Sequence, residues 1–290
     1  MDPFVARRAR LLGAVAVVLL ALVETAVALV APHLAPTDPD WRAAAAEVRS
    51  GFRAGDLIVA APGWADPILR VHLGDLIPAE VAGRLDDGRF ARVWEVSQRG
   101  ARSEVRGQLA LERRFGALTV RRIERPAPAV DYDFVARWAD ARVSRRPARG
   151  PVVACQNAGD RIQCPDISYN FVRRQIVEVD QKLREALLAQ PVGDATVVVE
   201  FPAVPLGRTL ELGTGLHNTW MRKEAHGPVD LRVFVGGAPA ASLTTRNEDG
   251  WKRTTIDTSA RAGQTAPVRF EITSPAPQAR HFAFAAEARG

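Results

Sequence analysis

Cysteine is scarce, with two in 290 residues, and that excludes both a disulfide-dense scaffold and a multi-cysteine zinc module. Lysine is rarer than composition would suggest: only Lys182, Lys223 and Lys252 stand among the 39 basic residues, and the rest are arginine. No G-x-G-x-x-G or G-x-x-x-x-G-K-[ST] loop follows an apolar run, so dinucleotide and nucleoside triphosphate binding are unsupported and no cofactor is expected. A G-x-S-x-G elbow is missing too. The histidines are His33, His72, His217, His226 and His281, and no two have H-x-x-x-H spacing, so no metal site is expected. The formal charge is +6, but the surplus is spread thinly along the chain. Its densest run, Arg142, Arg145, Arg146 and Arg149, has no interleaved aromatics and reads as solvated, so nucleic acid is not an expected partner.

What the chain does have is a globular composition, 47% hydrophobic and 25% charged, and enough length for about two domains. Its clearest local signal is N-terminal. Arg7, Arg8 and Arg10 precede an apolar run from Leu11 to Val30 broken only by Glu24 and Thr25. Twenty helical residues reach about 30 Å, the thickness of a bilayer core, and the arginines hold the N-terminus on the cytoplasmic side. Residues 1–35 are therefore read as a single-pass inner-membrane anchor through residues 11–30, with the remainder periplasmic or extracellular. A cleaved signal peptide ending at Ala26-Val27-Ala28 is the alternative. In an oxidising compartment Cys155 and Cys164, close in sequence, are expected to form a structural disulfide.

Residues 36–148 read as a small Rossmann-like α/β domain. The run Trp41 to Phe52 predicts a helix with Trp41, Ala45, Val48 and Phe52 on one stripe, capped by Asp38 or Asp40. Leu57-Ile58-Val59-Ala60-Ala61 predicts a strand buried on both faces, followed by a helix over Asp66 to Leu73. Further strands are expected at Phe90 to Val96 and Leu118 to Ile123, with a helix at Glu104 to Phe115, an order that implies a three-layer unit of parallel strands. Residues Pro126 to Pro151 read as a connection with a short helix at Tyr132 to Val143. Beyond it, residues 149–290 alternate with period two: Val197, Val199, Phe201; Val229, Leu231, Val233, Val235; Val268, Phe270, Ile272; Phe282, Phe284, Ala286. That pattern, punctuated by Gly236-Gly237, Asp249-Gly250 and Gly263, predicts a jelly-roll-like β-sandwich of about eight strands. Residues 176–188 fit either a helix stripe or two strands of a hairpin, and strands are preferred.

With Trp41, GDLIVAAPGWADP (Gly55 to Pro67), ARVWEVS (Ala91 to Ser97) and LTVRRIERP (Leu118 to Pro126), the chain resembles the extracytoplasmic region after the last membrane helix of bacterial GT-C glycosyltransferases of the protein-mannosyltransferase-like kind. The segments VPLGRTLELGTGLHN (Val204 to Asn218), DGWKRTTIDTS (Asp249 to Ser259) and RHFAFAAEA (Arg280 to Ala288) are similar to galactose-binding-like jelly rolls. The chain departs from a full enzyme of that family in having one hydrophobic span and no membrane-embedded acidic motif. The resemblance thus implies an accessory role in envelope glycosylation, with envelope carbohydrate or glycolipid and a membrane glycosyltransferase as partners, and not inherited transferase activity.

Binding is favoured over catalysis. The long loop from Gly213 to His226 carries His217, Asn218, Trp220, Arg222 and Lys223, planar and polar groups suited to a sugar at the end of a sandwich. In the α/β domain, ligands favour the carboxyl ends of strands, which selects Trp64 and Asp66 in one loop and Arg99 in another. A carbohydrate-active enzyme using those loops, and a ligand-free docking module for a membrane glycosyltransferase, remain as alternatives. The acidic pairs Asp86-Asp87 and Glu248-Asp249 lie in turns and are expected to be solvated, not a glycosidase dyad.

Overall fold

The computed structural model describes residues 3–30, 35–165, 167–217, 227–276 and 280–290. The first element, α1, is a continuous helix over Pro3–Val30. The side chains described in it are those of Gly13 and residues 15–30. Among the described residues no helix is long and apolar enough to cross a membrane. The rest of the chain forms two compact units, Met1–Leu76 with Arg92–Arg125, and Ile77–Ala91 with Pro126–Gly290.

In the first unit, helix α2 (Asp38–Gly51) is started by Thr37: its hydroxyl accepts from the Asp40 backbone N–H, and the Asp40 carboxylate accepts from that of Thr37. This reciprocal capping box replaces the expected aspartate cap, because Thr37 sits three residues ahead of Asp40, the spacing the motif needs. Trp41, Ala44, Ala45 and Val48 are buried. Strand β1 (Leu57–Ala61) is buried at all five positions, and helix α3 (Asp66–Leu73) follows, its His72 ring stacked 5.9 Å from that of Trp41.

The sheet is completed by β2 (Arg92–Gln98), β3 (Gln108–Phe115) and β4 (Leu118–Glu124) in the order β1-β2-β4-β3. Only β1 and β2 are parallel; β4 pairs antiparallel with both β2 and β3. The expected Rossmann-like parallel unit is therefore a mixed sheet. The difference comes from residues 104–115, where a helix was expected. The two-residue connection Gly116-Ala117, with Gly116 at φ 54°, instead closes a tight hairpin between β3 and β4. Trp94 faces α2, since a side chain added at Gly51 would meet its ring at 2.8 Å. By strand alternation Glu95 then points to the opposite face.

The second unit is an antiparallel β-sandwich. Before it, α4 (Ala79–Ala82) is a single turn. Residues 126–147, read as a connection, instead supply β5 (Val130–Asp133) and β6 (Arg142–Pro147) to the sheets, with one 3₁₀ turn at Trp138–Asp140 where the short helix was expected. The strands that follow are β7 (Val153–Ala154), β8 (Gln156–Asn157), β9 (Ile162–Gln163), β10 (Phe171–Val179), β11 (Lys182–Ala189), β12 (Ala195–Pro205), β13 (Thr209–Leu216), β14 (Val229–Val235), β15 (Ala238–Thr245), β16 (Lys252–Asp257), β17 (Thr265–Thr273) and β18 (Phe282–Arg289). One sheet runs β16-β13-β18-β11-β10-β9-β8, with β5 also on β18; the other runs β15-β14-β17-β12-β6-β7. The ambiguous stretch is the hairpin β10–β11, turned at Asp180 and Gln181 with φ of 54° and 61°.

The sheets meet through the expected alternating residues. Phe201 and Phe270 of one sheet pack edge-on against Phe134 at 4.8 and 5.5 Å, and Phe270 reaches Phe284 of the other at 4.9 Å. All eight residues of β18 are buried, not only the inward four. Its outward Glu287 and Arg289 are covered by residues 84–89: Arg289 pairs with Asp86 at 2.9 Å and Arg89 with Glu287 at 2.6 Å. The Trp251 indole N–H donates to the Leu85 carbonyl beside them. Cys155 and Cys164 are joined in a disulfide.

Candidate functional site

The parallel pairing of β1 and β2, in register from Leu57↔Val93 to Ala61↔Ser97, brings the loops bearing Trp64, Asp66 and Arg99 to the same edge of the mixed sheet. The side chains themselves do not converge. Trp64 is 62% exposed. The Asp66 carboxylate accepts from Arg70 one helical turn on, at 2.5 Å. Arg99 sits with Gly100 in a left-handed turn, at φ 55° and 71°. Among the described residues no hydrogen bond, ion pair or ring contact joins the three.

A cleft of about 260 Å³ lies elsewhere on this sheet, lined by Glu95, Arg102, Ser103, Val105, Gly107, Leu109, Arg121 and Ile123. Its polar wall is a closed set. The buried Arg121 donates to Glu95 at 2.8 Å, to Glu112 at 2.7 Å and to the Ser97 hydroxyl at 2.7 Å, while the Ser103 N–H donates to the second oxygen of Glu95 at 2.5 Å. The signal for this cluster in the sequence was a charged residue at a buried position in each of two apolar strands, RVWEVSQ and LTVRRIE. The acidic turn pairs are likewise committed. Asp86 is buried against Arg289, and Asp87 pairs with Arg84 at 2.6 Å, because the 84–89 segment packs on β18 and is not a free turn. Asp249 accepts from the Arg246 N–H.

At the end of the sandwich, Asn218, Trp220 and Arg222 lie outside the described residues, as does Lys223. His217 is described, and it has a neighbour that sequence reading missed. The β13–β18 register ends at Leu216↔Phe282, and one step further the His217 N–H donates to the His281 carbonyl at 2.8 Å, with ring centroids 6.3 Å apart. The two histidines are far apart in the chain and only this pairing joins them. Inward Leu212 and Leu216 alternate with outward Gly213, Gly215 and His217, so the imidazoles stand on the outward face of the sheet.

The same register carries a third strand to that face. Arg173 lies opposite Leu188, Leu188 opposite Ala283, and Ala283 opposite Gly215. By strand alternation Phe171, which pairs with Gln163 of β9, lies on the same face of β10 as Arg173. Arg161 and Arg173 both stack over the Phe171 ring, their guanidinium carbons 5.4 and 5.1 Å from its centroid, and Arg173 Nε donates to Gln175 at 2.7 Å. Burial pushes the His217 imidazole below its ordinary range, with His281 and Arg173 adding to the effect and Glu178 opposing it. Burial, then Arg173, does the same to His281. Both rings are thus neutral at neutral pH, each offering one N–H donor and one lone pair. Among the described residues, no group of three or more His, Cys, Asp or Glu side chains could hold a metal ion.

No protein-family model matches the chain, and no curated protein matches it. Among solved structures, the CBM51-2 and INT domains of Clostridium perfringens ZmpB in complex with GlcNAc align at 14% identity and TM-score 0.33, over 52% of this chain and 37% of that one. A CBM51 from Clostridium perfringens GH95, in complex with methyl-galactose, aligns at 9% identity and TM-score 0.29, over 50% and 79%. The secreted serine protease VesC of Vibrio cholerae aligns at 11% identity and TM-score 0.22, over 67% and 42%. With TM-scores this far below 0.5, the β-sandwich assignment rests on the strand pairings above, and no ligand follows from these likenesses.

Proposed function

We propose that the chain is a membrane-anchored extracytoplasmic binding protein of the bacterial envelope, and that its β-sandwich holds carbohydrate on the outward face at His217 and His281. The observation that carries this reading is the cross-strand pair of neutral imidazoles beside Arg173, which itself stacks over Phe171. Sugars offer hydroxyls that both donate and accept, together with apolar ring faces. Half-buried imidazoles meet the first need and a flat, partly exposed aromatic edge the second. Asn218, Trp220 and Arg222, which follow His217 in the sequence, are candidate contacts for the same ligand in this proposal.

Anchoring is supported by α1. Every valine and leucine from position 15 to 30 is 48–67% exposed, an apolar run that a bilayer would cover in this reading. The disulfide fits export to an oxidising compartment. An accessory role beside a membrane glycosyltransferase belongs to the same proposal.

The test uses the full chain in zwitterionic nanodiscs on a glycan array, with Trp220→Ala and the double variant His217→Ala/His281→Ala alongside. Binding by the parent that is lost in both variants is the expected result. A blank array from folded protein removes the carbohydrate reading, and co-purification of a multi-span partner would then favour a docking module.

A further inference from the structure

Many guanidinium groups in the described structure are matched to carboxylates, although Arg184 stacks over Trp251 and donates to the Arg84 and Leu85 carbonyls. Arg121 has Glu95 and Glu112, Arg289 has Asp86 and Glu287, and Arg146, Arg232 and Arg269 share the single buried Glu271. The half-buried pair over Phe171 breaks this habit. Among the described residues neither Arg161 nor Arg173 has a carboxylate within ion-pair distance, and Arg161 Nε is buried with no hydrogen-bond partner. Two like charges are held over one ring, next to two imidazoles whose protonation the nearer guanidinium opposes. The one acid felt in this patch is Glu178, acting on His217.

An anion placed here would meet planar N–H donors fixed by stacking, the geometry in which arginine binds carboxylate and phosphate best. A neutral sugar would bring no counter-charge to either cation. Resting on the carbohydrate reading above, we propose that the saccharide bound at His217 and His281 is an acidic one, its carboxylate, phosphate or sulfate held by Arg161 and Arg173. The imidazoles then read neighbouring hydroxyls, and the guanidiniums select the charge. The hairpin of β8 and β9 delivers Arg161 to the site, through the pairing of Gln163 with Phe171.

The test measures affinity of the full chain in zwitterionic nanodiscs for four probes of similar length: oligogalacturonate, a phosphorylated mannose oligomer, and the neutral galactose and mannose oligomers. The variants are Arg173→Gln, Arg161→Gln and the charge-preserving Arg173→Lys. An acidic probe should bind at least tenfold more tightly than its neutral counterpart, and the two acidic probes show which acid is read. Arg173→Gln should abolish that preference, and Arg173→Lys should retain part of it. Equal binding of acidic and neutral probes, or a preference that survives both glutamine variants, overturns the acidic assignment and leaves the carbohydrate reading standing. Failure of the folded parent to bind any of the four removes both. Equal affinity for duplex DNA or for vesicles rich in phosphatidylglycerol would show a general polyanion surface and overturn the saccharide assignment.

Discussion

In the mixed sheet, Arg121 is enclosed by Glu95, Glu112 and Ser97, whereas on the outward face of the sandwich Arg161 and Arg173 lie over Phe171 with no carboxylate in reach. Both places hold cationic side chains against protein, the first buried and the second half-exposed. The first neutralises its charge from within, and its donors are spent. The second keeps donors available, at the cost of holding like charges together. Taking an ion from water costs several kcal/mol unless a partner compensates it. The enclosed cluster is thus a structural device, even though it lines a cleft, while the uncompensated pair is where an outside partner would be felt.

The sharpest way to break this comparison is Arg121→Met. It strands Glu95, 1% exposed, without its cation, and leaving a buried charge unpaired costs about 3–5 kcal/mol. Urea unfolding should show a loss of that size. A loss below about 1 kcal/mol would mean the cluster carries little structural weight, and the cleft beside it would become the better ligand site.

Next in size is the disulfide. Cys155 and Cys164 are nine residues apart in sequence, and closing so short a loop contributes about 2–3 kcal/mol in the chain-entropy account. Arg161 lies inside the loop. Cys155→Ser with Cys164→Ser should therefore lower stability by that amount and also weaken binding of acidic oligosaccharide, because the guanidinium loses its preset position. Loss of stability with unchanged affinity would show that Arg161 is held by its stacking on Phe171 alone.

Much of the scaffold around these sites was legible in the sequence. The apolar run Leu57 to Ala61 announced a strand buried on both faces, and the alternation at Val229, Leu231, Val233 and Val235 announced a sandwich strand with one face inward. Residues 104–115, expected as a helix, contain β3 instead, because the turn that pairs it with β4 depends on a single glycine. The face bearing His217 was half legible. The loop after Gly213 stood out for its length, but His281, Phe171, Arg161 and Arg173 come from other strands and loops, and no local pattern reports a cross-strand pairing. The burial of Asp86 was hidden for the same reason, since its partner Arg289 is at the far end of the chain.

A smaller effect is expected from pH. Burial holds His217 and His281 below the ordinary histidine value in the folded protein, whereas in the unfolded chain they titrate near 6.5. Between these values the unfolded state binds more protons, so the contribution is fully present above about pH 6.5 and is lost as pH falls through the folded values. The double variant His217→Gln/His281→Gln should lose less stability than the parent between pH 7.5 and pH 5. Parallel pH profiles would mean that the imidazoles are solvated and not held by the sheet.

The smallest expected effect on stability is also the most telling. Among the described residues Arg173 has no carboxylate partner, and its hydrogen bond to Gln175 joins two residues of the same strand. Arg173→Gln should therefore change unfolding free energy by no more than about 0.5 kcal/mol, the usual range for a surface substitution away from structural features. Relief of its repulsion with Arg161 could even make the change favourable. Against that flat background a loss of acidic-saccharide affinity could not be ascribed to unfolding. The two regions would then differ as their charges do: Arg121→Met costs stability, and Arg173→Gln costs recognition. If Arg173→Gln instead destabilises by 2 kcal/mol or more, Arg173 is a structural residue like Arg121 and the contrast between the regions disappears.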